Sequence, residues 1–280
     1  MEIDLGLDLI DTSEFGLSTA INWSTNENEV TDLFGTESIN LSPGASVSSR
    51  AVVGYPLGSL YGTGSQTNPD GSFILNSNGF PQITSSPIVL GDPNPDWRGG
   101  ISLSMRYKKF RLNAVLEHSE GGDFSPRTLW VLRRFGTTQE TANRITLDQP
   151  LVNYRGNTIP AGTTVRGNIK DFGGGPVLLD ENWYRTGIGG GFGDNQAYNF
   201  SIADATFTKL RDLSLSYVID TPLVTNIGLS DVIVSLTGRD LININKVEGI
   251  DPEINTKGVS VAQGVEYLTN PQTKGFLVSL

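Results

Sequence analysis

Two runs at 101–107 and 110–118 constrain the fold most, because each alternates apolar and polar residues along its length. Ile101, Leu103, Met105 and Tyr107 share one side of the first run, with Ser102, Ser104 and Arg106 on the other. In the second, Phe110, Leu112, Ala114 and Leu116 oppose Arg111, Asn113 and Glu117. Side chains alternate across a strand with period two, and about 9–11 tilted residues cross a bilayer. The runs therefore read as two strands of a membrane β-barrel, apolar face outward and polar face inward, turning at Lys108-Lys109.

The same pattern recurs. Ile3, Leu5, Leu7 and Leu9 alternate with charged residues and glycine, and a turn near 11–13 leads into Phe15, Leu17, Ile21 and Trp23. Alternation returns at 207–219, at 232–239 and in a last run, 275–280. About seven strands result. Their connections alternate between short turns and long regions at about 25–98, 120–205 and 242–273. The long regions are rich in Gly, Pro, Asn and Ser and are expected to be irregular, with one short helix at 127–135. Such long connections are uncommon in compact soluble domains, whereas outer-membrane barrels alternate short periplasmic turns with long extracellular loops. Seven is an odd number, and an open sheet would leave unpaired edges in lipid, so the chain is expected to be a fragment of a larger barrel.

Composition narrows the function. A net charge of −10 supplies no basic stripe for phosphate backbones, which argues against nucleic acid as a partner. The chain has no Cys, so disulfide scaffolds and thiolate metal sites are excluded. No apolar stretch approaches the roughly 18 residues of a membrane helix. The first residues carry neither a basic segment nor an apolar one of the secretory type and start inside an alternating strand.

The wording of several segments is specific. Val53-Gly54-Tyr55-Pro56-Leu57-Gly58-Ser59-Leu60-Tyr61-Gly62, then Leu90-Gly91-Asp92-Pro93-Asn94-Pro95-Asp96-Trp97 and Gly121-Gly122-Asp123, resemble the C-terminal region of the SusC/RagA family of TonB-dependent outer-membrane transporters. So do Leu210-Arg211-Asp212-Leu213, Gly238-Arg239-Asp240-Leu241, Gly249-Ile250-Asp251-Pro252-Glu253 and Gly264-Val265-Glu266-Tyr267. The resemblance implies a barrel of about 22 strands around an N-terminal plug, of which this chain would carry roughly the last third. It also implies a SusD-like surface lipoprotein over the extracellular mouth, TonB acting through the plug, and import of a glycan or peptide across the bacterial outer membrane. The plug and the signal peptide are expected, on this resemblance, to lie outside this chain. Barrels of this family finish on an aromatic residue, so the end at Leu280 implies that a few residues are missing.

Candidate contacts follow. Trp130, Trp183, Tyr184, Phe192 and Tyr198, in the second long region, could meet solute or partner, or could instead hold the loop together as its own core. Arg106, Arg111, Asn113, Glu117 and Arg239 are expected to face the lumen, toward a plug or the solute path. Asp92, Asp96, Asp251 and Glu253 read as turn makers and not as a cation site, which needs six or more converging oxygens. No metal or other cofactor is expected. His118, beside Glu117 and Ser119, lacks a third orienting group and any nucleophile elbow, so the chain is not expected to be an enzyme. The glycines at 187–193 lack the Lys and Ser/Thr of a phosphate loop. A carbohydrate-binding β-sandwich is the competing reading; it would bury the apolar face that a barrel turns to lipid.

Overall fold

The computed structural model describes residues 1–280 apart from 43–45, 186–188, 190–195, 227, 230, 231, 248, 259 and 261. Seven strands pair in chain order into one antiparallel sheet. They are β1 (Glu2–Asp11), β2 (Phe15–Ser24), β3 (Trp97–Tyr107), β4 (Phe110–Glu120), β5 (Phe207–Ile219), β6 (Val232–Asn245) and β7 (Gly275–Ser279). β3 begins at Trp97, four residues ahead of Ile101, and β6 continues to Asn245, well past Arg239. Glycines at 99 and 100 and a shift of register near 240 hide these ends from a strict alternation.

Register decides which residues share a face. Leu17, Met105, Leu112, Leu215, Leu236 and Val278 form one row across six strands. Ile21, Ile101, Leu116, Leu210 and Ile242 form another. Toward the short turns the row is aromatic: Phe15, Tyr107, Phe110 and Tyr217 are successive partners, and the last two rings lie 4.7 Å apart. At the opposite rim stand Trp23 and Trp97, the latter lying over Gly99, where a Cβ would come 3.2 Å from the indole. Ile101 and Leu215 remain 45% and 47% exposed, and among the described residues no second layer covers this face. An apolar band between two aromatic rows is the lipid-facing pattern of an outer-membrane barrel wall, and it removes the sandwich reading.

The long connections are more ordered than their composition suggests. The first holds a four-stranded sheet, Ser38–Ser42, Ser48–Val52, Ser59–Gly62 and Ile88–Gly91. These strands are four or five residues long and built partly from serine, and Ser49 and Ser59 are buried, so period-two contrast is absent. The second connection carries helix α1 (Arg127–Phe135), closed by Gly136 in the left-handed region, and small two-stranded pairings. Strand Asp123–Pro126, at its start, is flanked by Ala203–Asp204 from its end and by Val265–Glu266 from the third connection.

The two faces make a direct prediction. Leu215→Arg should cost about 2–4 kcal/mol in urea unfolding from lipid vesicles, whereas Asn113→Arg, on the polar face, should be close to neutral.

Candidate functional site

On the polar face, β5 and β6 depart together from regular pairing. Leu210 pairs with Leu116 and Ile242, but Asp212 pairs with Val115 and Arg239, so Arg211 is an extra residue on β5 and Asp240-Leu241 are extra on β6. Asp240 has φ +50°, a left-handed conformation that aspartate tolerates. Leu241 folds back over Gly238, where a Cβ would come within 2.7 Å of it. The bulge turns Arg211 inward, where its Nε donates to Glu117 at 2.6 Å, its Nη1 lies 3.6 Å from Asp240 and its Nη2 bonds Glu253.

One step along β5, Lys209 is fully buried. Its ammonium donates to both oxygens of Asp251 at 2.8 and 2.7 Å, to Glu253 at 2.7 Å and to Gln272 at 3.1 Å, with the Phe207 ring 4.7 Å away. Asp251 also accepts from Asn243 at 3.2 Å and from the Glu253 backbone N–H at 3.0 Å. Asp251 and Glu253 therefore do more than shape a turn: they fasten the third long loop to the wall. The overlooked signal was a lysine and an arginine two residues apart on a strand, followed by an Asp-Pro-Glu segment able to neutralise them. Burial pushes the Glu253 carboxyl up, but the bonds from Arg211 and Lys209 more than reverse this and hold it at about 2.

The register puts Arg106, Arg111, Asn113, Glu117 and Arg239 on the polar face, but their situations differ. Arg106 donates to Asp11 at 3.2 Å and to the carbonyls of Thr12 and Ser13 at 2.8 and 3.1 Å, closing the β1–β2 turn. Glu117 is held by Arg211, and Asn113 accepts from Ser104 at 2.8 Å. Arg239 is exposed, 3.8 Å from Asp212, and Arg111 is exposed with no ion pair among the described residues. His118 is committed to Thr208, at 2.7 Å, and Glu120, at 2.9 Å.

The aromatic candidates fall inside the loops. Trp183 and Tyr184 belong to a core with Phe80, Phe172, Val177 and Leu179, so rings from the first and second long loops pack together. Burial, with the Glu140 carboxylate beside it, pushes the Tyr184 phenol far above its usual range; its hydroxyl donates to Glu140 at 3.2 Å and accepts from Asn168 at 2.8 Å. Trp130 is also buried, under the Arg133 guanidinium. Trp130, Trp183 and Tyr184 line one cavity of about 190 Å³. Tyr198 lies elsewhere, its backbone N–H bonded to Thr63 in the first long loop. Phe192 and, apart from Gly189, the glycine cluster at 187–193 lie outside the described residues. Glu266, also buried, ties the third loop to α1 by accepting from the Thr128 backbone N–H at 3.1 Å and its hydroxyl at 2.5 Å. Asp92 makes its expected turn, accepting from the Asn94 N–H at 2.9 Å. Among the described residues no group of three or more His, Cys, Asp or Glu is arranged to hold a metal ion.

Lys209→Met should strand Asp251, whose side chain is only 4% exposed, at a cost of about 3–5 kcal/mol, read as faster amide exchange across 246–274. Replacing both partners, Lys209→Met with Asp251→Leu, should recover most of that loss. A carboxyl lowered from an ordinary 4.5 to about 2 stabilises fully above its ordinary value and loses that contribution as pH falls through about 2. Amide exchange at 249–256, corrected for intrinsic pH dependence, should therefore accelerate across that window.

No family model matches the chain. The chain is 23% identical over 304 aligned positions to TonB-dependent receptor P3 of Formosa agariphila, covering 97% of this chain and 27% of that protein. The structure resembles the RagAB peptide importer in its closed-closed state, with TM-score 0.58, 19% identity and coverage of 99% of this chain and 28% of that one. A second structure of the RagAB peptide transporter gives TM-score 0.59 at 19% identity. The chain thus spans little more than a quarter of the proteins it matches. In sequence the chain is thus similar to a TonB-dependent receptor, and in fold, with its apolar band bounded by aromatic rows, it is similar to part of the RagAB structures.

Proposed function

We propose that this chain forms part of the wall and loop cap of an importer that takes up a glycan or peptide, with a SusD-like lipoprotein over its loops and TonB supplying the energy through a plug. The observation that carries this reading is the polar face behind the lipid-facing band, overhung by three long loops that are fastened to one another. Aromatic packing joins the first loop to the second, Glu266 joins the third to α1, and Lys209 fixes the third to the wall. Arg111, Asn113 and Arg239 are the polar-face side chains left exposed, and they are assigned to the solute path or plug contact; Arg106 and Glu117 hold the surrounding structure. Trp130, Trp183, Tyr184 and Tyr198 support the loops that meet solute and lipoprotein. The likeness to RagAB favours a peptide, and the known breadth of polar barrel interiors leaves a glycan as the other solute class.

The test is uptake by cells producing the receptor, using a labelled hexapeptide and a labelled maltohexaose in parallel. At least one should accumulate, and accumulation should vanish in cells lacking TonB. Uptake that persists without TonB, or a purified chain that stays soluble and monomeric without detergent, would overturn the importer reading.

A further inference from the structure

We propose that the short-turn rim of the wall binds the headgroup of a phosphatidylethanolamine-type phospholipid, with Lys108 and Lys109 on its phosphate and Glu14 or Asp220 on its ammonium. The site is a lipid site on the outside of the wall and does not depend on what the receptor imports. Three neighbouring turns build it. The Lys108 backbone N–H donates to the Glu14 carbonyl at 2.7 Å, and the Lys109 carbonyl accepts from the Val218 N–H at 2.9 Å. The β3–β4 turn is thereby stitched to the turns on both sides. Side chains follow the same order: the Lys108 ammonium lies 3.6 Å from Glu14, and Lys109 is bonded to Asp220. The rim thus presents acid, base, base and acid in a line, each side chain at least 44% exposed.

The line lies on the lipid side. Tyr107 belongs to the apolar face with Leu103 and Met105, and the Lys108 ammonium is 5.6 Å from the centre of its ring. Phe110, next to Lys109, stacks at 4.7 Å on Tyr217 in the same outward row. These rings are 39–50% exposed and continue the apolar band, so the lysines stand where hydrocarbon gives way to headgroups. A lysine at that level lays its stem on apolar surface and keeps its ammonium in the polar layer. The backbone adds a second observation. Lys108 has φ +53° in a two-residue hairpin turn, a conformation that suits Gly, Asn or Asp. The turn therefore carries an ammonium at a strain that glycine would avoid, which points to a role for the side chain.

Charge complementarity selects the headgroup. At 3.6 Å Lys108 and Glu14 attract each other without a hydrogen bond, so the ammonium keeps its donors for a phosphate oxygen, with which it forms a strong charge-assisted bond. Two cations against two carboxylates leave the line without net charge, which suits a zwitterion better than a purely anionic headgroup. Ethanolamine supplies N–H donors for Glu14 or Asp220. Choline carries the same charge but no N–H, and glycerol carries no cation. The acyl chains then run over Met105 and Leu112, which pair directly above the aromatic row.

The experiment is native mass spectrometry of the receptor, purified from outer membranes in detergent and titrated with dioleoyl phosphatidylethanolamine, phosphatidylcholine or phosphatidylglycerol. The tightest adduct should be phosphatidylethanolamine, about three- to tenfold ahead of phosphatidylcholine. Lys108→Gln with Lys109→Gln should weaken it by about the same factor, and Glu14→Gln with Asp220→Asn should erase the preference over phosphatidylcholine. Lys108→Gly eases the left-handed turn while removing the ammonium, so weaker binding there cannot be put down to misfolding. Equal adducts for all three lipids, or adducts unchanged in the lysine variants, would overturn the proposal. So would a lysine-dependent preference for phosphatidylglycerol, which would give the rim to an anionic headgroup. Loss of the lipid preference with TonB-dependent uptake intact removes this site and leaves the importer reading in place.

Discussion

A strand in hydrocarbon has no water to satisfy its N–H and C=O groups, each of which would otherwise cost several kcal/mol, so the hydrogen-bond ladder is the constraint on which everything else in this wall depends. Once the ladder is set, period two leaves no choice of face: a shift of one residue would turn the row from Leu17 to Val278 toward the polar side and bring Arg106 and Glu117 into lipid. The aromatic row Phe15, Tyr107, Phe110 and Tyr217 and the tryptophans at the other rim sit where strands leave the apolar band, as amphipathic rings do at membrane interfaces.

With the wall fixed, the loops are held in two physically different ways. The first and second share an aromatic core, whose strength scales with buried area and depends little on charge. The third relies on ions. Lys209 can be buried, and Arg211 half-buried beside it, only because Asp251, Glu253, Glu117 and Gln272 converge on them, and the bulge in β5 is what aims Arg211 at that point. An isolated buried ammonium would be prohibitive; a fully bonded one is stable while its partners stay in place, which makes this attachment specific and also breakable.

Much of the wall was legible in the sequence, because lipid on one side and a polar interior on the other impose the strongest alternation a strand can show. The hairpin at 101–118 is the clearest case, and α1 was readable from Arg127 to Phe135. The loop sheets were not legible. Ser48–Val52 and Ser59–Gly62 are short, serine-rich and largely buried, so they lack the contrast by which a strand announces itself. The aromatic residues were found, but their placement was not, because a tryptophan that packs against Phe172 and one that stacks on solute look alike in one dimension. Lys209 was hidden by distance: its partners lie 42, 44 and 63 residues ahead.

Arg106 has a consequence for assembly. It belongs to the β3–β4 hairpin, yet it closes the turn of the β1–β2 hairpin through Asp11, Thr12 and Ser13. The turn can be capped only after the two hairpins have met in register, since a slip of one position carries the guanidinium to the opposite face. The contact therefore acts as proofreading: a mispaired hairpin forfeits the cap and places a cation in lipid, and both penalties favour release and another attempt.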